Sequence, residues 1–177
     1  MKYFTSDTHF NHVNCIKFDN RPFENIEDMN ESIIKNWNKV VSPEDEVYHL
    51  GDVAFGRGDE CLNILNSLNG KIYLVKGNHE KTALNGAFNR FEWVKDYYEL
   101  KYEGHLFILC HYPFASWRNS HYNKSINLHG HCHGNQGDRP VLLNQLDVGT
   151  CCHNYAPISI KQVMEKLKDA NSIIHVD

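Results

Sequence analysis

The sequence contains no apolar run approaching the roughly 18 residues that a membrane helix needs, the longest clear one being Leu106 to Cys110. Its opening Met1-Lys2-Tyr3-Phe4 turns polar at Thr5-Ser6-Asp7, too soon for a secretory apolar region. An excess of positive charge is missing too: 18 basic side chains stand against 22 acidic ones, a net charge of −4. A protein that grips long nucleic acid by releasing counterions needs a basic face, so no such partner is expected, although a short nucleotide is not excluded. The six cysteines, at 15, 61, 110, 132, 151 and 152, form no C-x2-C or C-x4-C pair. That removes support for a structural zinc knuckle, and scattered thiols without an export signal argue against a disulfide framework. The expectation is a soluble, cytoplasmic protein with buried thiols and no membrane partner.

A hydrophobic fraction of 41% and an aromatic fraction of 12% exclude a disordered chain. At 177 residues, without repeats, low-complexity tracts or a Pro/Ser-rich linker, one domain over 1–177 is expected. Twelve histidines are the unusual feature.

Residues 1–5, 46–50 and 71–75 read as strands. Between them, Ile26, Met29, Ile33, Ile34, Trp37 and Val40 recur at helical spacing. Asn25, with Asp28 three residues on, predicts the start of that helix, and Pro43 its close. Leu62, Leu65 and Leu68 predict a second helix over 59–68. Strand and helix thus alternate, the pattern of parallel β-α units. Residues 96–102 and 105–110 predict a hairpin turned at Glu103-Gly104, followed by strands near 125–129 and 141–145. A last helix starts at Ser159. The expected fold class is α/β: two sheets packed face to face as a mixed sandwich flanked by helices, a parallel half followed by an antiparallel one.

Polar clusters sit where these strands end: Asp7-Thr8-His9, Gly51-Asp52, Gly77-Asn78-His79, Cys110-His111 and Gly130-His131-Cys132-His133-Gly134. Ligands of open α/β sheets bind beyond the carboxyl ends of the strands, so the five clusters should converge. Each alone is weak; Gly-Asp, for instance, is ordinary turn chemistry. Together they offer Asp7, His9, Asp52, Asn78, His111, His131 and His133, too many donors for one tetrahedral ion and a natural set for two. Asp52 is the natural bridge, because a carboxylate has two oxygens with spare lone pairs. Imidazoles mixed with oxygen donors suit Mn, Fe, Zn, Co or Ni better than Mg or Ca, with manganese first. Two divalent ions outweigh two aspartates, so the pocket would draw phosphate, and paired ions of this kind generate a hydroxide between them. His79, beside a ligand amide, is free to act as general acid toward the leaving oxygen.

In this order the clusters D-x-H, G-D, G-N-H, H and G-H-x-H resemble the calcineurin-like metallophosphoesterases, over residues 7–133. The resemblance implies a two-sheet sandwich flanked by helices, one ion on Asp7, His9, Asp52 and His133, another on Asp52, Asn78, His111 and His131, and His79 as proton donor. The stretch Asp52-Val53-Ala54-Phe55 departs from the Asp-Arg-Gly of the Ser/Thr protein phosphatases. The short chain, with its D-T-H-F-x-H-x-N start and R-P-F, is more similar to small stand-alone bacterial and phage members.

The expected activity is hydrolysis of a phosphodiester, phosphomonoester or phosphoanhydride of a small, nucleotide-like substrate. His12, Arg21, Arg118 and His121 are candidate substrate contacts, since cations among Tyr112, Phe114, Trp117 and Tyr122 can clamp a phosphate beside a stacked base. Against this stand two bland readings: His12 and Arg21 bracing a loop, and aromatics filling a core. The chain has no G-x-S-x-G elbow and no Walker loop, and Ala83 stands where a zincin would need its second histidine. A non-catalytic metal-containing relative serving as a protein-binding module is the competing class, and the intact ligand set speaks against it.

Overall fold

The computed structural model describes residues 1–80, 86–135, 137 and 142–174. Its chain order is β1 (Lys2–Thr5), α1 (Val13–Phe18), α2 (Ile26–Val40), β2 (Glu46–His49), α3 (Gly58–Asn66), β3 (Lys71–Val75), β4 (Phe91–Lys95), β5 (Tyr98–Tyr102), β6 (His105–Leu109), β7 (Ile126–His129), β8 (Gln145–Asp147), β9 (Ile158–Ser159) and α4 (Ile160–Ile174). One sheet runs β4-β3-β2-β1-β9 and the other β5-β6-β7-β8.

The helices start where side chains can satisfy their first amides. Asn25 accepts from the Asp28 N–H at 2.8 Å, opening α2. Ser159 accepts from the Gln162 N–H at 3.3 Å while Gln162 accepts from the Ser159 N–H at 2.9 Å, a reciprocal cap on α4. On α2, Met29, Ile33 and Trp37 share the buried face and pack with Val47, Ile72 and Leu74 of the first sheet. A second core lies between the sheets, with Phe4, Tyr48, Leu50 and Val75 facing Phe107, Leu109 and Leu128, and with Ile160, Val163 and Leu167 of α4 joining its edge.

Two sheets flanked by helices match the expected class, but the expected antiparallel half does not. Only β5 and β6 pair antiparallel; β6-β7 and β7-β8 are parallel. Parallel neighbours need a long return, and residues 110–125 supply it, carrying Trp117 across the outer face onto Leu106 and Ile108. The first sheet is parallel from β1 to β4, with β9 added antiparallel to β1. The strand expected at 141–145 is β8 at Gln145–Asp147, and Val141 lies outside the described residues. Helix α1 and strands β4 and β9 were not anticipated.

The parallel arrangement has one consequence for function. Strands β1, β2, β3, β6 and β7 all deliver their carboxyl ends to the same rim of the sandwich, where the polar clusters follow.

Candidate metal centre

Five residues at this rim hold the left-handed backbone conformation without being glycine: Asp7 (φ 54°), His9 (50°), Asp52 (57°), His131 (68°) and His133 (49°). Each costs about 1–2 kcal/mol relative to ordinary backbone, and such residues gather at functional sites. Backbone bonds hold the turns in place: the Asp7 N–H donates to Gly51 O at 2.9 Å, His9 N–H to Asp52 O at 3.1 Å, and Gly130 N–H to His111 O at 2.9 Å. The approach is so close that a methyl group on Gly130 would overlap Ser6 Oγ and Asp7 Oδ2, and one on Gly77 would overlap Asp52 Oδ1.

The side chains converge. His9 Nε2 lies 3.2 Å from His133 Nε2, and Asp7 Oδ1 is 3.4 Å from His133 Nε2 and 3.9 Å from His9 Nε2. Asp52 Oδ2 stands between two halves of the cluster, 3.8 Å from His9 Nε2 and 3.6 Å from His111 Nε2. Asn78 Oδ1 is 3.0 Å from His111 Nε2. The His131 ring centroid is 5.1 Å from that of His111, and the His131 N–H donates to Asp7 Oδ2 at 2.9 Å. All seven sequence-derived donors therefore lie at one rim. Two groups in particular, Asp7-His9-His133 and Asp7-Asp52-His111, have their donor atoms within 4.8 Å of one another.

Hydrogen bonds aim several donors. His111 Nδ1 lies 2.7 Å from Leu50 O, which can only accept, so Nδ1 carries the proton and Nε2 the lone pair facing Asp52. His133 Nδ1 donates to Asp19 Oδ2 at 2.7 Å, the imidazole-carboxylate pairing that orients metal ligands. Glu80 is buried and accepts from the N–H groups of Val53 and Gly77, tying the loop after β2 to the loop after β3.

The electrostatics call for a cation. Burial alone would raise the Asp7 carboxyl, but the neighbouring His133, with help from His111 and Ser6, holds it well below the usual range. Burial lowers His133, yet Asp19 and Asp7 outweigh it and push the ring up to about 10. Burial drives His9 down to about 2, leaving it neutral. A proton on His133 thus sits where a metal ion would sit. Asp7 Oδ1 is buried with no hydrogen-bond partner, and the nitrogen-oxygen donor set is that of a transition metal. The residues fit two ions.

His79 leans over the rim. Its N–H donates to Asp52 Oδ1 at 3.0 Å, its Nε2 lies 3.8 Å from Asp52 Oδ2, and its side chain is 44% exposed. His12 stacks on Phe55 at 4.0 Å between centroids and lies 5.3 Å from the His9 ring; Phe55 in turn lies 5.0 Å from the His79 ring. The other substrate candidates are placed differently. The Arg21 side chain is buried and donates to Thr8 O and Asp7 O, both at 2.9 Å, and to Asp19 Oδ2 at 3.1 Å. Arg118 is ion-paired with Glu99 on the edge strand β5 at 2.6 Å, and His121 meets Tyr122 edge-on at 5.5 Å. Trp117 is core, whereas Tyr112 is half-exposed with its ring 4.8 Å from His131.

Sequence reasoning missed Asp19, Glu80 and Phe55. Glu80 follows His79 directly in Gly77-Asn78-His79-Glu80, and a carboxylate flanking a ligand turn was the available signal. Asp19 carries none, since its partner His133 is 114 residues away.

A family model described as calcineurin-like phosphoesterase matches residues 3–163. An uncharacterized protein of Methanocaldococcus jannaschii is 36% identical over 172 residues, covering 94% of this chain and 90% of that protein. The gene 66 protein of Mycobacterium phage L5 is 30% identical over 81 residues, covering 44% of this chain and 39% of its own. Among solved structures, a protein of unknown function from Aquifex aeolicus superposes with a TM-score of 0.75 at 29% identity, covering 94% of this chain and 98% of that one.

Proposed function

Since the chain belongs to the calcineurin-like phosphoesterases, metal-dependent hydrolases of phosphate esters, we propose that it holds two ions on Asp7, His9, Asp52, Asn78, His111, His131 and His133 and cleaves a small, nucleotide-like phosphate ester. The observation that carries this reading is the position of Asp52 Oδ2, within 3.8 Å of His9 Nε2 and 3.6 Å of His111 Nε2, so that one carboxylate can serve both halves of the donor set. The ions, when bound, supply Lewis acidity and an activated water. Manganese is the first metal to test.

The chain's own residues do the rest. Asp52 holds the two halves in register and, through the His79 N–H, fixes where the acid stands. His79, exposed at the mouth, gives its proton to the departing oxygen, a role worth typically 10²–10⁴-fold in rate. His12, held flat against Phe55 beside His9, offers a second imidazole to a phosphate oxygen. Its affinity for a proton is lowered, first by burial and then by the charge of His79. Tyr112 gives a base an aromatic face beside His131. The bonds of Arg21 support a bracing role for it, and the pairing of Arg118 with Glu99 leaves it the weakest of the substrate candidates. No described helix is long and apolar enough to cross a membrane. We take the chain as one unit acting in the cytoplasm, with its six cysteines as free thiols.

The test is a metal-reconstituted screen of a diester, a monoester and a dinucleotide polyphosphate. Asp52→Ala should lose both ions and all turnover, whereas His79→Gln should keep both ions and lose about 10²–10⁴ in kcat. Full metal occupancy without hydrolysis across the panel would refute the activity.

A further inference from the structure

A separate group of metal-binding side chains lies behind the loop that carries His131 and His133. His129 at the end of β7, Cys132 within the loop and Asp147 at the end of β8 are all buried, with donor atoms within 4.8 Å of one another. None belongs to the two-ion set.

Their hydrogen bonds arrange them as ligands. His129 Nδ1 lies 2.9 Å from Gly130 O; a carbonyl only accepts, so the proton is on Nδ1 and the lone pair on Nε2. Asp147 accepts the Gly149 N–H on Oδ1 at 2.7 Å and the Gly134 N–H on Oδ2 at 3.0 Å, which locks the carboxylate while each oxygen keeps a second lone pair. Cys132 adds a thiol, the soft donor that the two-ion set lacks.

We propose that His129, Cys132 and Asp147 form a third metal site, filled by one zinc ion that anchors the histidine loop from behind. Imidazole, thiolate and carboxylate together suit tetrahedral zinc, and the sulfur selects against manganese and magnesium. On binding, the Cys132 thiol gives its proton to solvent and the sulfur-zinc bond forms. Zinc bonds of about 2.0–2.3 Å require the donors to draw in by roughly 1 Å, within the reach of side-chain rotation. The ion would clamp three pieces of chain: the end of β7, the loop, and the end of β8. Because Cys132 lies between His131 and His133 in sequence, the clamp fixes the backbone from which both ring donors project.

Cobalt substitution tests this in the full chain. A thiolate on cobalt gives a sulfur-to-metal charge-transfer band in the near ultraviolet, and none of the seven donors of the two-ion centre is a sulfur, so the band reports this site whatever happens at the other. The wild-type chain should bind three ions per molecule and show the band. Cys132→Ser, nearly isosteric, should abolish the band and lose one ion in three while retaining the other two. X-ray absorption of the zinc-loaded wild type should also show a sulfur neighbour at about 2.3 Å, a readout that depends on no variant folding. Two ions without a sulfur signal would overturn the proposal, as would a band that survives Cys132→Ser.

Discussion

Asp19 shows how much of a site can lie one bond away from it. Its Oδ2 accepts from both His133 Nδ1 and Arg21 Nε, while Arg21 Nη2 and Nη1 donate to the carbonyls of Asp7 and Thr8. Burial would raise the Asp19 carboxyl, but His133 and then Arg21 keep it low, so the carboxylate is charged whenever the ring needs it. Asp19→Asn should leave every ligand in place yet weaken metal binding about 10–100-fold, measured by calorimetric titration, with turnover recovered at saturating metal. Unchanged affinity would show that the pair does not tune the ligand. The seven proposed donors stand out in the sequence because each follows a strand end in a short polar cluster. Asp19 and Arg21 were not, because their meaning comes from a fold that brings residue 133 back to residue 19. The Arg-Pro-Phe motif did single out Arg21, but motif position cannot distinguish a side chain that reaches into solvent from one turned inward onto carbonyls.

At the scale of elements, β2 carries a burden unrelated to catalysis. His49 is fully buried at its end. Thr8 Oγ1 donates to Val53 O at 2.8 Å and so accepts from His49 Nε2 at 3.0 Å, which leaves the buried Nδ1 with no partner for a second proton. Burial accordingly pulls His49 from 6.5 down to about 3. A depressed histidine stabilises the fold above its unfolded value and loses that contribution as pH falls, at up to about 1.4 kcal/mol per pH unit across this window. The stability of metal-free protein to chemical denaturant should therefore fall from pH 6.5 toward 4, with a shallower slope in His49→Gln. Equal slopes would remove His49 from the account. Helices α2, α3 and α4 and the first three strands were legible from period and caps, whereas the six residues of α1 are too few to show a period. Strand β4 was missed because Phe91-Glu92-Trp93-Val94-Lys95 is short and its alternation breaks at Trp93-Val94. The parallel order of β6, β7 and β8 was illegible for another reason: direction depends on where a long connection returns, and residues 110–125 carry no α-helix to announce a crossover, only a three-residue 3-10 turn at Ser120–Tyr122.

For the whole molecule, ions held on the proposed donors would tie the loop after β1 to the loop after β7, beside the hydrogen bond from the His131 N–H to Asp7 Oδ2. Ions that bind only the folded state stabilise it by mass action, about 2.7 kcal/mol at a hundredfold excess over Kd. For a chain of this size that corresponds to roughly 5–10 °C in Tm. Chelation should lower the scanning-calorimetry midpoint by that amount, and restored metal should reverse it; an unchanged midpoint would mean that the folded chain binds ions no better than the unfolded one. The negative net charge predicts further that activity on small esters proceeds without salt-sensitive binding to duplex DNA, which an electrophoretic shift at two ionic strengths would check.

The His131 N–H reaches Asp7 Oδ2 across 124 positions of sequence, and this separation has a bearing on synthesis. A chain leaving the ribosome amino end first presents Asp7, His9 and Asp52 long before either histidine of the last loop exists. Until residue 133 has emerged and the second sheet has docked, the nascent protein holds only a fragment of its ion-binding set, so metal capture comes at the end of folding and marks the finished molecule.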